Sequence, residues 1–139
     1  MKVLIVGSDS IHVSSFVSGL PLNIDCRFLT ESPCGFDGVK EEIIVSFRSL
    51  NPLAIFRSNN RLGIVLSEMK PDVVHVHQIN RLAYFVTRLC EKLDIPVVST
   101  AWGSDVLVVP KKNIFFRYLV KKSLKNKKHV ITANKALMA

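Results

Sequence analysis

Apolar residues recur along this chain in two alternating rhythms: short unbroken runs, and longer stretches in which they return every three or four positions. The runs predict buried parallel strands and the spaced stretches predict helices. Lys2 to Gly7 reads as a first strand, and Ile11 to Leu20 as a helix with Ser10 as its N-cap candidate. Pro21 breaks that helix, and Ile24 to Thr30 is a second strand. A loop carrying Pro33, Gly35 and Gly38 leads to a third strand at Ile43 to Phe47. Pro52 precedes a helix from about Leu53 to Met69, with a break possible at Asn59-Asn60-Arg61.

The most regular stretch follows. Pro71-Asp72 is a turn, Val73 to His77 a β-branched run, and Ile79 to Leu93 an amphipathic helix closed by Asp94. Ile95 to Thr100 is the next run, and Trp102-Gly103-Ser104-Asp105 has turn chemistry. Strand, helix, strand at this spacing is a right-handed βαβ unit with parallel strands. Val106 to Pro110 is expected as a loop and Lys111 to Lys125 as a helix. His129 to Thr132 forms a sixth strand, and a helix begins at Ala133-Asn134.

Six strands with helical crossovers define an α/β fold: a doubly wound, Rossmann-like parallel sheet of order 3-2-1-4-5-6. The first and fourth strands are then neighbours at the switch point. The loops after Gly7 and after His77 flank one crevice there, and the Trp102 to Asp105 loop closes its other side.

Composition agrees with one such domain. The 139 residues are 48% hydrophobic, enough for a real core. No apolar run is long enough to span a bilayer, and the first run reads as a strand rather than a leader, which predicts a cytoplasmic protein. Cys26, Cys34 and Cys90 are odd in number and lack metal-site spacing, so they read as reduced thiols. His75 and His77 share a strand face that a metal could use, but no further ligand stands at a recognised spacing, and no metal is expected.

Charge changes the picture more. The formal net charge is +8. Met1 to Asp105 is nearly balanced, whereas Val106 to Ala139 holds nine Lys/Arg and no carboxylate. On a helical wheel Phe115, Phe116, Leu119, Val120 and Leu124 share one side, which the sheet should bury. Lys111, Arg117, Lys121, Lys122 and Lys125 share the other, with Ile114 and Tyr118 among them. Cations interleaved with apolar residues suit an anionic membrane surface, and the bland alternative is a solvated face.

Candidate chemistry gathers at the strand ends. Gly7 and Ser8 lead into a helix start whose free N–H groups favour an anion, although a tight turn without ligand fits equally. The glycine-rich dinucleotide fingerprint is absent. No paired carboxylates or nucleophile elbow support a hydrolase.

Taken together, the strand ending in Gly7, Ser10-Ile11-His12, Lys70-Pro71-Asp72-Val73-Val74-His75-Val76-His77, and Pro96 to Thr100 followed by Trp102-Gly103-Ser104-Asp105 resemble the N-terminal domain of retaining GT-B glycosyltransferases. These are the bacterial enzymes that build capsular, teichuronic and lipopolysaccharide sugars. The resemblance implies the N-terminal, acceptor-side half of a two-domain enzyme spanning residues 1–139. A C-terminal donor domain, absent here, would bind most of the nucleotide sugar, so the isolated domain is expected to hold no cofactor and to be inactive.

It also implies roles. His77 matches a histidine near the transferring sugar, where it is the catalytic candidate; a strand-end histidine bonded to backbone is the alternative. His12 matches one that meets acceptor or phosphate, or it caps the helix. Asp105 would bind acceptor hydroxyls or fix its own turn. Trp102, where histidine is common, would stack on a sugar or pack as core. His75, deeper on the strand, is read as structural. The implied partners are the donor domain, a lipid-linked sugar acceptor and an anionic membrane surface on the cytoplasmic side, with no nucleic acid. The alternative class is a non-catalytic Rossmann-like module for a nucleotide, anionic lipid or other polyanion.

Overall fold

The fold is seen in a computed structural model that describes residues 1–103, 107–125 and 129–132. In chain order the elements are β1 (Lys2–Val6), α1 (Ile11–Ser18), β2 (Asp25–Thr30), β3 (Glu41–Ile44), α2 (Pro52–Met69), β4 (Val73–His77), α3 (Arg81–Lys92), β5 (Val97–Ala101), α4 (Val109–Lys112), α5 (Ile114–Lys125) and β6 (His129–Thr132). The strands form one parallel sheet in the order β3-β2-β1-β4-β5-β6. This is the doubly wound order expected from the pattern. The helix expected from Ala133 lies outside the described residues.

Strand β1 sits centrally and is buried on both faces. Leu4 and Val6 point into the larger core, which Leu62, Leu66 and Met69 of α2 and Leu82, Ala83, Val86 and Cys90 of α3 complete. Val3 and Ile5 point the other way, against Val13 and Val17 of α1 and Cys26 and Phe28 of β2. Alternation along one continuous apolar run therefore feeds two layers of helix, as a parallel sheet requires.

Four expectations are corrected. The third strand starts at Glu41 and ends at Ile44, not Phe47. Val45 N–H still bonds Thr30 O, but Phe47 N–H donates to the Glu31 carboxylate at 2.9 Å and leaves the ladder. Val45 and Phe47 nevertheless remain in the core. Helix α2 runs unbroken through Asn59-Asn60-Arg61. Burial of Leu62, Leu66 and Met69 and the Asn51 cap on Leu53 N–H outweigh the weak local propensity. Helix α3 begins at Arg81 because Asn80 Oδ1 accepts from Ala83 N–H, 3.0 Å, which leaves Ile79 outside it.

The fourth correction concerns the basic segment. Instead of a loop and one helix, Val109–Lys112 forms a short helical turn, and Asn113 then breaks the backbone with φ −156° and ψ 137°. Its side chain accepts from Phe115 N–H at 2.7 Å and so starts α5. Leu119 and Val120 are buried as expected, but Phe115 and Phe116 are 52% and 38% exposed. Val120 and Leu124 pack on Ile79 and Ala101, at the carboxyl ends of β4 and β5. Phe115 and Phe116 lie outside that cluster.

Candidate functional site

Three strand ends meet at the switch point. β1 delivers Gly7 and Ser8, β4 delivers His77 and Gln78, and β5 delivers Trp102. Ser8, His77, Gln78 and Trp102, with Ser10, His12 and Val13 at the α1 start, line a cleft of about 340 Å³. Clefts at this position, beyond the carboxyl ends of parallel strands, are where open α/β sheets bind ligands.

Gly7 is what lets the walls come together. A Cβ there would meet Val13 Cγ2 at 3.1 Å and His77 Cβ at 3.5 Å. Its own N–H is engaged by Leu29 O at 3.1 Å. The glycine thus provides clearance between β1, α1 and β4, and the groups nearer a ligand are those of Ser8 and the helix start. Ser10 caps that start: its Oγ accepts from Val13 N–H at 3.3 Å. Ser10, not His12, is therefore the cap. The His12 ring is exposed and lies 4.3 Å from Trp102, tilted by 31°.

His77 is the centre of the cleft. It is 3% exposed, and neither ring nitrogen has a hydrogen-bond partner among the described residues. The backbone-bonded alternative for this histidine is not what is seen. Its neighbours are rings: His75 at 4.2 Å, Phe16 at 4.8 Å and Trp102 at 6.2 Å. Burial, with His75 alongside, pushes its pKa down to about 4. At neutral pH it is an uncharged imidazole with one donor and one acceptor nitrogen. A buried polar ring with both nitrogens unengaged costs stability. Such a group is what a cleft holds ready for a ligand.

The residue after it is unusual as well. Gln78 lines the cleft with φ +73°, a left-handed conformation that is uncommon outside glycine. Its N–H donates to Thr100 O at 3.0 Å, so the β4–β5 ladder continues through the strained residue. Strain held in this way clusters at functional sites.

His75 behaves as a structural residue. Its Nε2 lies 2.8 Å from Thr100 Oγ1, its pKa is lowered by burial, and it does not line the cleft. Asp105, with Ser104, lies outside the described residues. Lys111, Arg117, Lys121, Lys122 and Lys125 are all exposed on α4 and α5, away from the cleft lining. Among the described residues no cluster of three or more His, Cys, Asp or Glu stands in metal-binding proximity, and no helix is long and apolar enough to cross a membrane.

Phe16 and Gln78 were not singled out by sequence. Gln78 follows directly on a strand that ends at the switch point, which is a signal that was available. On the wheel Phe16 flanks the apolar stripe of Val13 and Val17, and only the tertiary structure brings it to the histidines. Larger hollows lie among the described residues, about 470 Å³ beside Val17 and Leu22, about 570 Å³ beside Gly63 and Leu89 and about 370 Å³ beside Leu66 and Pro71. None of the three is lined by a buried polar side chain without a partner among the described residues, so the site is placed at the smaller cleft.

The Rossmann-like parallel sheet thus puts the cleft, with His77 and Trp102 in its walls, at its switch point. The chain belongs to the glycosyl transferase 4-like family, whose pattern it matches over residues 2–134. Among solved structures it is similar to the UDP-GlcNAc 2-epimerase from Methanocaldococcus jannaschii, with TM-score 0.67 and 16% identity over 97% of this chain and 40% of that one. It is also similar to the UDP-GlcNAc 2-epimerase from Neisseria meningitidis bound to UDP-GlcNAc, with TM-score 0.60 and 15% identity over 94% and 46%. At these identities the likeness is one of fold. The chain spans less than half the length of either structure. No curated protein matches it in sequence.

Proposed function

We propose that this chain is the acceptor-side domain of a retaining glycosyltransferase that moves a sugar from a nucleotide-sugar donor to a lipid-linked glycan acceptor in surface polysaccharide synthesis. The observation that carries the reading is His77: a neutral, buried imidazole in the switch-point cleft whose two nitrogens have no hydrogen-bond partner among the described residues. The family is a glycosyltransferase one, and UDP-GlcNAc, after which both structural relatives are named, belongs to the nucleotide-sugar class proposed for the donor.

Each wall then has work to do. The uncharged His77 hydrogen-bonds a hydroxyl of the transferring sugar or orients the acceptor hydroxyl, without holding a charge that would need solvation. Trp102, backed by His12, gives the flat apolar face on which a sugar ring stacks. Ser8 and the amide groups at the α1 start face a phosphate, favoured by the helix dipole. Asp105 would bind acceptor hydroxyls from the loop beyond Trp102. A second Rossmann-like domain, outside this chain, would bring the nucleotide. A lipid-linked acceptor places the enzyme at the inner face of the membrane, with Lys111, Arg117, Lys121, Lys122 and Lys125 toward anionic headgroups.

The test is release of nucleoside diphosphate by the full-length enzyme, assayed with nucleotide sugars and polyprenyl-linked acceptors. Transfer is expected, and His77→Ala should lower turnover by roughly 10²-fold or more, the usual effect of losing a positioned polar group at the reacting centre. The 139-residue chain alone should be silent. Turnover by that chain, or isomerisation of the nucleotide sugar without transfer, would contradict the proposal.

A further inference from the structure

Among the described residues three that are not glycine hold a positive φ: Lys70 at +46°, Asp94 at +53° and Gln78 at +73°. Lys70 caps the end of α2, and its N–H donates to Leu66 O at 3.0 Å. Asp94 follows the end of α3, and its N–H donates to Glu91 O at 3.3 Å. A left-handed residue is an ordinary stop for a helix. Gln78 has no such reason. It stands one residue past β4, in the cleft wall, where the chain turns toward the Asn80 cap of α3. Just past β5 a left-handed turn is made by a glycine, Gly103, with φ +98°.

The backbone does not ask for a glutamine here. The N–H bond to Thr100 O, 3.0 Å, is one that glycine would make without strain. Nor does the side chain hold the fold together: among the described residues its amide has no hydrogen-bond partner. A side chain kept at a strained position without a bond to the protein points to a ligand. The cleft wall sets the chemistry of that ligand. No Lys, Arg, Asp or Glu is among the described residues that line it. The Trp102 ring supplies an aromatic face, and His77 and Ser8 supply uncharged hydrogen-bonding groups. A primary amide adds an acceptor oxygen and two donor hydrogens in one plane. Two adjacent hydroxyls of a sugar ring, each both donor and acceptor, match that pair. A phosphate, charged and only accepting, would call for a cation instead.

We propose that Gln78 is a specificity-determining residue of this cleft: its side-chain amide bonds two neighbouring hydroxyls of the sugar ring that lies against Trp102, and so reads their configuration. The inference rests on the function proposed above and adds which residue chooses the sugar. Inverting one carbon of the pair turns one oxygen away from the plane of the amide, so an epimer keeps one bond of the two. Selectivity of this kind is a difference in transition-state binding between two near-identical sugars. The ring is the one transferred or the terminal ring of the acceptor. The hydroxyl-pair chemistry is the same for both, and they are told apart by which substrate's selectivity changes.

The experiment is steady-state kinetics of the full-length enzyme, read as nucleoside diphosphate release. One arm varies the donor among UDP-glucose, UDP-galactose, UDP-GlcNAc and UDP-GalNAc at a fixed polyprenyl-linked acceptor. The other varies the terminal sugar of the acceptor at the best donor. Gln78→Ala and Gln78→Gly should each lower kcat/KM for the preferred sugar about 10-fold, through KM more than kcat. In one arm the preference over the epimer should shrink by a similar factor. Melting temperature separates this from a structural role. Both variants lack the amide, but glycine also relieves the positive φ. Gln78→Gly should therefore melt about 2–4 °C above Gln78→Ala at the same loss of selectivity. An active wild type whose variants keep its kcat/KM and its selectivity overturns this inference and leaves the proposed function standing. Losses of kcat/KM that follow melting temperature, with selectivity unchanged, also overturn it. A wild type that releases no nucleoside diphosphate with any pair overturns the proposed function, and the reading of Gln78 with it.

Discussion

Replacing His77 with phenylalanine should leave the protein at least as stable as wild type, and the advantage should grow in acid. The ring is 3% exposed and neither nitrogen has a hydrogen-bond partner among the described residues. Burying an unsatisfied polar group costs about 1–3 kcal/mol, and an apolar ring of similar shape removes that cost. Close packing, with Gly7 beside His77 Cβ, offsets part of the gain. We therefore expect a change between zero and about +1 kcal/mol near neutral pH.

Acid adds a second effect of known sign. The His77 pKa is lowered to about 4 in the folded protein, against 6.5 for an ordinary imidazole. Above pH 6.5 both states are uncharged and nothing is lost. As pH falls from 6.5 toward 4, the unfolded chain takes up a proton that the folded one refuses, and stability declines. The full loss is about 3 kcal/mol at 1.36 kcal/mol per pKa difference of one. The phenylalanine variant lacks this loss. Urea unfolding followed by circular dichroism at pH 7 and at about pH 4.5 should therefore show the variant's lead widen by roughly 2 kcal/mol. His75, also lowered by burial, remains in both proteins and largely cancels in the difference. Parallel pH dependences, or a variant more than about 1 kcal/mol less stable at neutral pH, would refute the reasoning and make His77 a structural residue.

Two smaller perturbations test the frame around the cleft. Gly7→Ala puts a Cβ 3.1 Å from Val13 Cγ2, and should cost about 1–3 kcal/mol in urea unfolding as α1 is pushed off the sheet; no change would mean the wall is looser than described. Thr100→Val removes the 2.8 Å partner of His75 and should cost about 1 kcal/mol, with turnover of the full-length enzyme kept within a few-fold. A large loss of turnover without loss of stability would move His75 from the scaffold into the site.

Much of this was legible in the residues because parallel sheets write both faces into one run. Val3 to Val6 and Val73 to His77 alternate between two cores, so their strand identity, their adjacency and the crevice at their ends follow from pattern and handedness. His77 and Trp102 could be placed at the cleft for the same reason. The failures arose where a side chain or a distant element decides. The end of β3 depends on Glu31 claiming the Phe47 N–H, a contact across sixteen residues that no propensity records. The wheel of α5 puts Phe115 and Val120 on one side, but does not show that only Val120 of the two reaches the cluster of Ile79 and Ala101. The left-handed Gln78 is invisible for a similar cause: its conformation is imposed by the bond to Thr100 O and the packing around it.

The central claim is that the switch-point cleft transfers a sugar with His77 at the reacting atoms. The most direct measurement is turnover of the full-length enzyme as wild type and as His77→Ala, with melting temperature recorded on the same samples. The account predicts a fall of about 10²-fold or more at a melting temperature that stays close to wild type. Turnover near the wild-type level, or losses of activity and melting temperature that track one another, would contradict it.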